Sequence, residues 1–383
     1  MREGWTYKKM SEVFDLQMGK TPDRKTPSYF GGNNVWVSIR DIVGKEIGES
    51  NEHITDTAVT TTNIRKVKKG TVIMSFKLTV GKCAITTKDL YTNEAIMAFN
   101  LKEGYDICPD YLYYYLSNYN WRGANKAVMG ITLNKATISQ QKVGYPSLSE
   151  QQAIVSELDK INELISLKKA QLSDLDALAQ SIFYDMFGDP IENEKGWEVK
   201  KLGELCEIVR GGSPRPINNY LGGDIPWIKI GDATTGDDIY LHSTKEYIIK
   251  EGLKKTRYIP TGSLIFANCG VSLGFARIIT FKGCIHDGWL AMMNIKEEKL
   301  GKIFLLKSLN FCTQYFRNNA PEGTQPNLNT NIMKVFKQIL PPLPLQQDFA
   351  KRIELIEQQK AQISSTIKDL ETLLASRMQY WFD

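Results

Sequence analysis

Side chains that catalyse reactions or bind metals are few in this chain, and their spacing fits neither role. The chain has six cysteines and three histidines, and no two cysteines form a C-x-x-C pair. Zinc sites and disulfide frameworks use ligands at short, regular spacing, so the sequence favours neither. These residues are Cys83, Cys108, Cys206, Cys269, Cys284 and Cys312, together with His53, His242 and His286.

Two short motifs could serve catalysis, but simpler interpretations exist for both. KEEK, residues 296–299, contains the E-x-K triplet of many nucleases, which is common by chance. His286 precedes Asp287, and this pair could supply a general base, although a surface turn is the simpler interpretation. The sequence has no G-x-x-x-x-G-K-[ST] phosphate loop, no [DNS]-P-P-[FYW] motif and no glycine pattern for S-adenosylmethionine. We therefore expect a binding protein without catalytic activity of its own.

Composition indicates a water-soluble chain with room for more than one domain. It has 383 residues, of which 42% are hydrophobic and 24% charged. The N-terminus lacks an apolar signal segment, and no apolar run approaches the roughly 20 residues that cross a bilayer. We expect a cytoplasmic protein with no membrane partner.

Positive charge is concentrated outside two segments of the chain. Residues 149–187 and 345–383 hold 8 of the 48 Lys and Arg residues and 13 of the 43 Asp and Glu residues, which leaves 40 basic against 30 acidic residues elsewhere. Such a surplus suits a polyanion, because Lys and Arg neutralise phosphates and release counterions. On charge alone, an ordinary basic surface is an equal alternative.

The whole chain is a tandem repeat. GWTYKKMSEVFDLQMGKTP from Gly4 matches GWEVKKLGELCEIVRGGSP from Gly196, and WVSIRD from Trp36 matches WIKIGD from Trp227. GTVIMSF and NLKE in the first copy correspond to GSLIFAN and NIKE in the second. The alternating WVSIRD-type segments and the short apolar runs predict strands, whereas YLYYYLSNY and IFLLKSLNF predict helices. Each copy is therefore expected to form an α+β domain, with Trp36 and Trp227 in the core.

A long helix is predicted to follow each domain. Apolar residues recur at alternating intervals of three and four over about five heptads, which is typical of a coiled coil. Ser149 and Gln152 are expected to cap the first helix, and the loop after it is too short for a parallel return, so the helices should pair antiparallel. The predicted seam comprises Ile154, Leu158, Ile161, Ile165, Leu172 and Leu175 in the first helix and Phe349, Ile353, Ile356, Ile363, Ile367 and Leu370 in the second.

These duplicated features resemble the specificity subunit of type I restriction–modification systems, over essentially the full chain. The resemblance rests on the paired GKTP and GGSP segments, the paired WVSIRD and WIKIGD strands, and the P-x-L-x-x-QQ motif that opens each helix. It implies an α+β fold with two homologous target recognition domains, separated by two long helices that form an antiparallel coiled coil with a pseudo-twofold axis. We expect the domains at 1–148 and 189–343 and the helices at 149–188 and 344–383.

The resemblance also implies function and partners. Each domain would read one half of a bipartite target in double-stranded DNA, and the helix pair would set the unread spacer. Two methyltransferase subunits would dock on the helices, and restriction (translocase) subunits would join the full complex. S-adenosylmethionine is expected on the methyltransferase partner, and no cofactor or metal on this chain.

Polar residues in glycine-rich loops beside strands are the candidate DNA contacts, because Arg, Lys, Asn, Gln, Ser and Thr read base edges and phosphates. In the first copy they are Lys20, Arg24, Lys25, Ser38, Arg40, Lys77 and Thr79. In the second copy they are Ser213, Arg215, Lys229, Asn268, Ser272 and Gln325. About half are expected to be turn-forming or solvated side chains instead.

Two other interpretations are open at this stage, and a stand-alone enzyme is a third that the missing motifs disfavour. The chain could be the specificity subunit of a related system in which nuclease and methyltransferase are fused, or a non-catalytic scaffold whose domains bind proteins. Steep loss of binding with salt would separate DNA binding from the scaffold.

Overall fold

The chain forms two compact units, each with one globular domain and a segment of each long helix. The structure is a computed structural model that describes residues 2–121, 125–127, 130–234, 236–320 and 327–382. The first unit comprises Met1–Leu167 and Lys368–Asp383. The second unit comprises Lys168–Ile367.

The first domain is mostly short strands. They are β1 (Thr6–Lys9), β2 (Phe14–Met18), β3 (Phe30–Val37), β4 (Glu46–Ile47), β5 (His53–Ile54), β6 (Val72–Ser75), β7 (Cys83–Thr86), β8 (Tyr91–Thr92), β9 (Ile96–Leu101), β10 (Asn125–Ala127), β11 (Gly130–Thr132) and β12 (Lys142–Tyr145). The helices are α1 (Met10–Val13), α2 (Asp56–Thr62), α3 (Pro109–Asn118), α4 (Lys135–Gln140) and the long α5 (Leu148–Phe187).

The second domain repeats this arrangement. Its strands are β13 (Glu198–Lys201), β14 (Glu207–Arg210), β15 (Leu221–Ile228), β16 (Tyr240–Leu241), β17 (Glu246–Ile248), β18 (Arg257–Ile259), β19 (Leu264–Ala267), β20 (Ala276–Ile279), β21 (Gly283–Ile285), β22 (Trp289–Met293) and β23 (Lys337–Leu340). Its helices are α6 (Leu202–Leu205), α7 (Lys302–Phe311), α8 (Thr313–Asn319), α9 (Thr330–Val335) and the long α10 (Leu343–Phe382).

Sheet topology confirms the duplication. The main sheet has the order β2-β9-β6-β7-β4 in the first domain and β14-β22-β19-β20-β16 in the second. A smaller sheet has the order β5-β3-β8 in one and β17-β15-β21-β18 in the other. The strand that carries Trp36 or Trp227 lies in this smaller sheet, parallel to β8 or β21. The α+β prediction is therefore confirmed for both copies.

The apolar strands predicted from GTVIMSF and GSLIFAN lie inside the main sheets, between two cores. In β6, Val72 and Met74 pack in one hydrophobic cluster, whereas Ile73 packs in another on the opposite face. In β19, Leu264 and Ile265 divide in the same way. Successive side chains of a strand point to opposite faces, so only a continuous apolar run can fill both cores.

A buried glutamine joins each domain to the start of its long helix. Gln151 donates from Nε2 to the carbonyl oxygens of Asp106 and Pro146, at 2.8 and 3.0 Å, and accepts from the amide of Cys108 at 2.9 Å. Gln346 is the equivalent residue 195 positions later in the sequence. It donates to the carbonyls of Lys299 and Pro341, at 3.0 and 2.7 Å, and accepts from Gly301 at 2.8 Å. The first glutamine of the QQ motif therefore fixes the helix, because it satisfies three backbone groups at once.

The cap of the first long helix differs from the prediction. Ser147, and not Ser149, accepts a hydrogen bond from the Glu150 amide, at 3.3 Å, because the helix begins at Leu148. Both long helices contain 40 described residues, and each begins one residue earlier than the sequence suggested.

In the second unit, the two helices run antiparallel. Phe183 and Phe187 of α5 pack on Phe349 near the start of α10, with ring centroids 5.5 and 5.3 Å apart. Lys360, further along α10, donates to Asp176, which lies earlier in α5, at 2.6 Å. The contacting residues have rising numbers along α5 and falling numbers along α10, which is possible only if the helices are antiparallel.

In the first unit, the other helix segments also pack together. Glu157 of α5 accepts hydrogen bonds from Arg377 Nη2 and Trp381 Nε1 of α10, at 3.1 and 3.0 Å. The hydrogen bond from Arg377 lowers the pKa of the Glu157 carboxyl. Across both units, every side chain of the predicted seam is buried, except Leu172, Leu175 and Leu370, which are half-buried.

Ion pairs attach each domain to its helices. In the first unit, Lys45 of the domain lies 2.7 Å from Asp159 of α5. In the second unit, Lys360 on α10 pairs with Asp238 of the domain, and Lys307 of the domain lies 2.9 Å from Glu357 of α10. Burial alone would lower the pKa of Lys360, but its hydrogen bonds to Asp176 and Asp238 outweigh burial and raise that pKa. Such pairs add orientation more than stability, because desolvation offsets much of the attraction.

Within the described part of the chain, none of the helices combines the length and the apolar character that a membrane crossing requires.

The role of the buried glutamine can be tested with its neighbour as the control. We expect Gln346→Ala to lower the free energy of unfolding by about 2–3 kcal/mol, because three backbone groups lose their partner. Gln347→Ala, at the exposed second position of the same motif, should stay within about 0.5 kcal/mol of the wild type. Urea unfolding followed by circular dichroism measures both. Equal losses for the two variants would contradict the role given to Gln346.

Candidate nucleic-acid interface

In the first domain, three of the predicted loops meet at one short turn. This first central turn, residues 92–95, links β8 to β9. The amide of Lys20 donates to the Thr92 carbonyl at 2.8 Å, and the amide of Asn93 donates to the Val37 carbonyl at 3.0 Å. The amide of Phe76 donates to the Ala95 carbonyl at 2.9 Å. The loops that begin at residues 19, 38 and 76 are thus held side by side.

The second domain has the same arrangement around a second central turn, residues 286–289. The amide of Gly211 donates to the Trp289 carbonyl at 2.9 Å, and the amide of His286 donates to the Ile228 carbonyl at 3.0 Å. The third loop is attached by Asn268, whose amide donates to the Gly288 carbonyl at 3.0 Å. The corresponding three loops are therefore brought together twice in one chain.

Glycine is required where the first loop passes the central turn. A Cβ atom on Gly19 would lie 2.2 Å from the Thr92 carbonyl oxygen, and one on Gly211 would lie 2.1 Å from the His286 carbonyl oxygen. Both distances are far below the van der Waals contact distance, and the atom approached is a backbone oxygen that a side-chain rotation cannot move away. The glycines of the GKTP and RGGSP segments therefore mark a close approach of two backbones.

Arg24, a predicted DNA contact of the first domain, touches both a carboxylate and two aromatic rings. It forms a forked pair with Glu52, with Nη2 2.9 Å from Oε2, and its guanidinium carbon lies 4.7 Å from the Phe30 ring centroid and 5.0 Å from that of Trp36. The hydrogen bonds from Arg24 hold the pKa of Glu52 below its usual value. The Arg24 side chain remains 50% exposed, so part of the guanidinium faces solvent.

Lys229 of the second domain, like Arg24 of the first, lies beside a glutamate and a tryptophan. Its Nζ pairs with Glu246 and lies 5.8 Å from the Trp227 ring centroid. The side chain is 40% exposed. Trp36 and Trp227 themselves are buried, as predicted, with 1% and 4% of their surfaces exposed.

The remaining candidates in the first domain occupy the same loops. Lys20 donates from Nζ to the Thr62 carbonyl at 2.6 Å, and Ser38 donates to Asp41 at 2.7 Å. Lys77 Nζ lies 5.5 Å from the Phe76 ring centroid. The other three, Lys25, Arg40 and Thr79, are exposed.

In the second domain the candidates divide into accessible and buried residues. Ser213 donates to Asp287 at 2.7 Å, and Arg215 lies 3.5 Å from the same carboxylate and is 80% exposed. Ser272 is half-buried, and Gln325 lies outside the described residues. Asn268 is a correction, because its side chain is fully buried and donates to the Leu328 carbonyl at 3.1 Å, so it offers no surface to DNA.

Sequence reasoning interpreted His286 and Asp287 as a surface turn, but it did not identify either central turn as the place where the loops attach. His286 Nδ1 accepts from the Gly288 amide at 2.9 Å, and Asp287 holds Ser213, so both residues organise the turn. Burial lowers the pKa of His286. KEEK also lies outside any helix or strand, and its Glu297 pairs with Lys302 at 2.8 Å. The repeat contained a usable signal, because NLKE and NIKE follow the two turns at the same distance.

A family model described as "Type I restriction modification DNA specificity domain" matches residues 2–177 and 194–372, which is most of the chain. The type I restriction enzyme MjaIX specificity subunit of Methanocaldococcus jannaschii is 27% identical over 377 residues, with 91% of this chain and 86% of that protein covered. The HindI specificity subunit of Haemophilus influenzae is 24% identical over 163 residues, with 42% and 35% covered.

Solved structures share the fold. The S subunit of a type I restriction–modification system from M. genitalium superposes with a TM-score of 0.54 and 16% identity, with 99% of this chain and 96% of that chain covered. A chain from a structure on complex assembly and conformational transition of the type I R-M system gives a TM-score of 0.68 and 18% identity, with 100% and 98% covered.

The close approach at Gly19 leads to a testable prediction. We expect Gly19→Ala to destabilise the first unit by about 2 kcal/mol or more, because the new methyl group would overlap the Thr92 carbonyl. Gly44→Ala is the matched control, since a Cβ there meets no atom within 4 Å. Thermal unfolding measures the difference. A Gly19→Ala protein as stable as the control would show that the loop does not need this contact.

Proposed function

Because the chain belongs to the family of type I restriction–modification specificity subunits, which recognise DNA targets, we propose that each of its two domains reads one half of a bipartite DNA sequence. The observation that carries this proposal is the duplicated interface. The same three loops surround the same turn in both domains, but the side chains they present differ. Two scaffolds of one design with different polar loops suit two different half-sites on one duplex.

The long helices are proposed to set the spacer between the half-sites. Each has 40 residues, or about 60 Å at 1.5 Å per residue. Each is fixed to its own domain by a buried glutamine and an ion pair. A stiff connection of this kind supports a defined gap, since a flexible linker would allow many gaps.

Exposed leucines on the helices support docking of partner proteins. Contiguous apolar side chains exposed outside the seam mark surfaces that other proteins can cover. On α5 and α10 the exposed leucines are Leu148, Leu164, Leu167, Leu178, Leu355 and Leu373. We propose that two methyltransferase subunits bind the helices there, beside Lys168, Lys169 and Gln171, and that restriction subunits join this complex.

Specificity subunits are generally non-catalytic, and the proposed division of labour follows from this. The partner would bind S-adenosylmethionine and transfer the methyl group, whereas this chain would select the DNA. We place the complex in the cytoplasm as part of the same proposal.

The proposal is tested with the chain co-expressed with the methyltransferase subunits of its own system. The purified complex is mixed with random-sequence duplex DNA, and the retained DNA is sequenced. We expect two short conserved blocks separated by a gap of fixed length. Affinity for the selected sequence should fall on the order of 10³-fold between 50 and 200 mM salt. Absence of any enriched motif, or binding that salt does not change, would favour a protein-binding scaffold.

The spacer is tested by shortening the facing helix segments by one heptad each. Residues 169–175 and 361–367 face each other around the pair of Asp176 and Lys360. Their removal shortens the helices by about 10 Å, or about three base pairs, and keeps the seam in register. We expect the gap in the selected motif to shorten by about three base pairs or binding to be lost. The control Asp174→Ala keeps the helix length and should leave the gap in the selected motif unchanged. An unchanged gap in the shortened protein would contradict the proposal that the helices set the spacer.

A further inference from the structure

Each smaller sheet places a tryptophan next to a glutamate, which is Glu52 just before β5 in the first domain and Glu246 within β17 in the second. In the first domain, the Trp36 amide donates to the Glu52 carbonyl at 3.1 Å. In the second domain, Trp227 of β15 pairs directly with Glu246 of β17. We call these the first Trp–Glu pair (Trp36 and Glu52) and the second Trp–Glu pair (Trp227 and Glu246). They are at equivalent places in the repeated fold.

Each Trp–Glu pair holds one cation, but the cation comes from a different segment. Arg24, from the loop between β2 and β3, lies over Trp36 and pairs with Glu52. Lys229, which follows β15 directly, lies near Trp227 and pairs with Glu246. The two cations are therefore not equivalent positions in the repeat, although they reach the same place in the fold.

In each copy, the segment that supplies the cation in the other copy makes a different contact. Ser38 is the counterpart of Lys229, and its hydroxyl donates to Asp41. Arg215, in the second-domain loop that corresponds to the Arg24 loop, lies beside Asp287. The cation thus comes from a different segment in each copy, whereas the tryptophan and the glutamate that hold it are present in both.

Both cations are restrained and yet accessible. An exposed ion pair alone is weak, but the ring below the cation and the carboxylate beside it together limit its rotamers. A restrained side chain loses less entropy when it binds. Arg24 uses two of its five N–H donors on Glu52, and the half-exposed guanidinium presents the others to solvent.

We propose that the two Trp–Glu pairs are one base-reading position built twice, and that the cation each pair holds determines which base edge is accepted there. Arg24 reads a guanine in the first half-site, and Lys229 reads a less restricted acceptor in the second. This inference rests on the proposed function and adds residues to it. Glu52 and Glu246 are positioning residues, since they act through the cation.

The chemistry of the two cations differs in a way that DNA can report. The planar guanidinium donates two parallel N–H groups, which match O6 and N7 of guanine in the major groove. The ammonium group of Lys229 is a compact point charge and lacks this fork, so guanine and thymine O4 are both suitable acceptors. A Lys at the Arg24 place should therefore relax a guanine preference, and an Arg at the Lys229 place should sharpen one.

The test repeats the random-DNA selection with the complete complex that carries Arg24→Lys or Glu52→Gln. We expect both variants to reduce the guanine preference at one and the same base position by about 10-fold. The other half-site should keep its preferences. The reciprocal variant, Lys229→Arg, should raise the guanine preference at one position of the second half-site.

Matched controls come from another exposed Arg–carboxylate pair of the first domain. Arg65 lies 2.8 Å from Asp15, with side chains 59% and 50% exposed, and no ring contact is recorded for Arg65 among the described residues. Arg65→Lys and Asp15→Asn should leave every position of the motif unchanged. If Glu52→Gln impairs folding, Arg24→Lys and Lys229→Arg decide the matter alone.

Three outcomes would overturn the inference. A uniform loss of affinity with an unchanged motif would show that Arg24 contacts phosphate only. Changes at different base positions for Arg24→Lys and Glu52→Gln would separate the cation from its glutamate. A Lys229→Arg protein with an unaltered second half-site would remove the equivalence of the two positions. If the wild-type complex itself selects no motif, the proposed function fails first, and this result is distinguishable from the other three.

Discussion

In each domain, the surface proposed to bind DNA depends on backbone hydrogen bonds to one short turn. The loops near residues 19, 38 and 76 attach to residues 92–95, and their counterparts attach to residues 286–289. Because these hydrogen bonds use main-chain groups, side chains on the loops can change while the loops stay attached to the turn. The requirement is strict at Gly19 and Gly211, where two backbones meet too closely for a Cβ atom.

A second constraint fixes each domain to its long helix. Gln151 and Gln346 are buried amides that satisfy the same three kinds of backbone group in the two copies. The ion pairs of Lys45 and Lys360 add further contacts between each domain and its helices. A domain fixed to its helix in this way has a defined orientation, which a reader of spaced half-sites needs.

Under the proposed base-reading role, the Trp–Glu pairs give one duplicated scaffold two specificities. The buried rings of Trp36 and Trp227 are part of the fold and resist change, since their loss would leave cavities. The cations above them are half-exposed and come from loops, where substitution costs little stability. Arg24 and Lys229 show that a new donor can even arrive from another segment. The frame and the specificity can therefore evolve separately.

The sequence by itself determined the duplication, the strands, the α+β class and the two long helices, because these depend on periodicity and on residues close in the chain. Only the tertiary structure decided which polar loops meet, that Asn268 is buried, and that Arg24 and Lys229 occupy equivalent places. The physical reason is that these features rest on hydrogen bonds and ring contacts between residues far apart in sequence. A pattern within one segment carries no record of such partners.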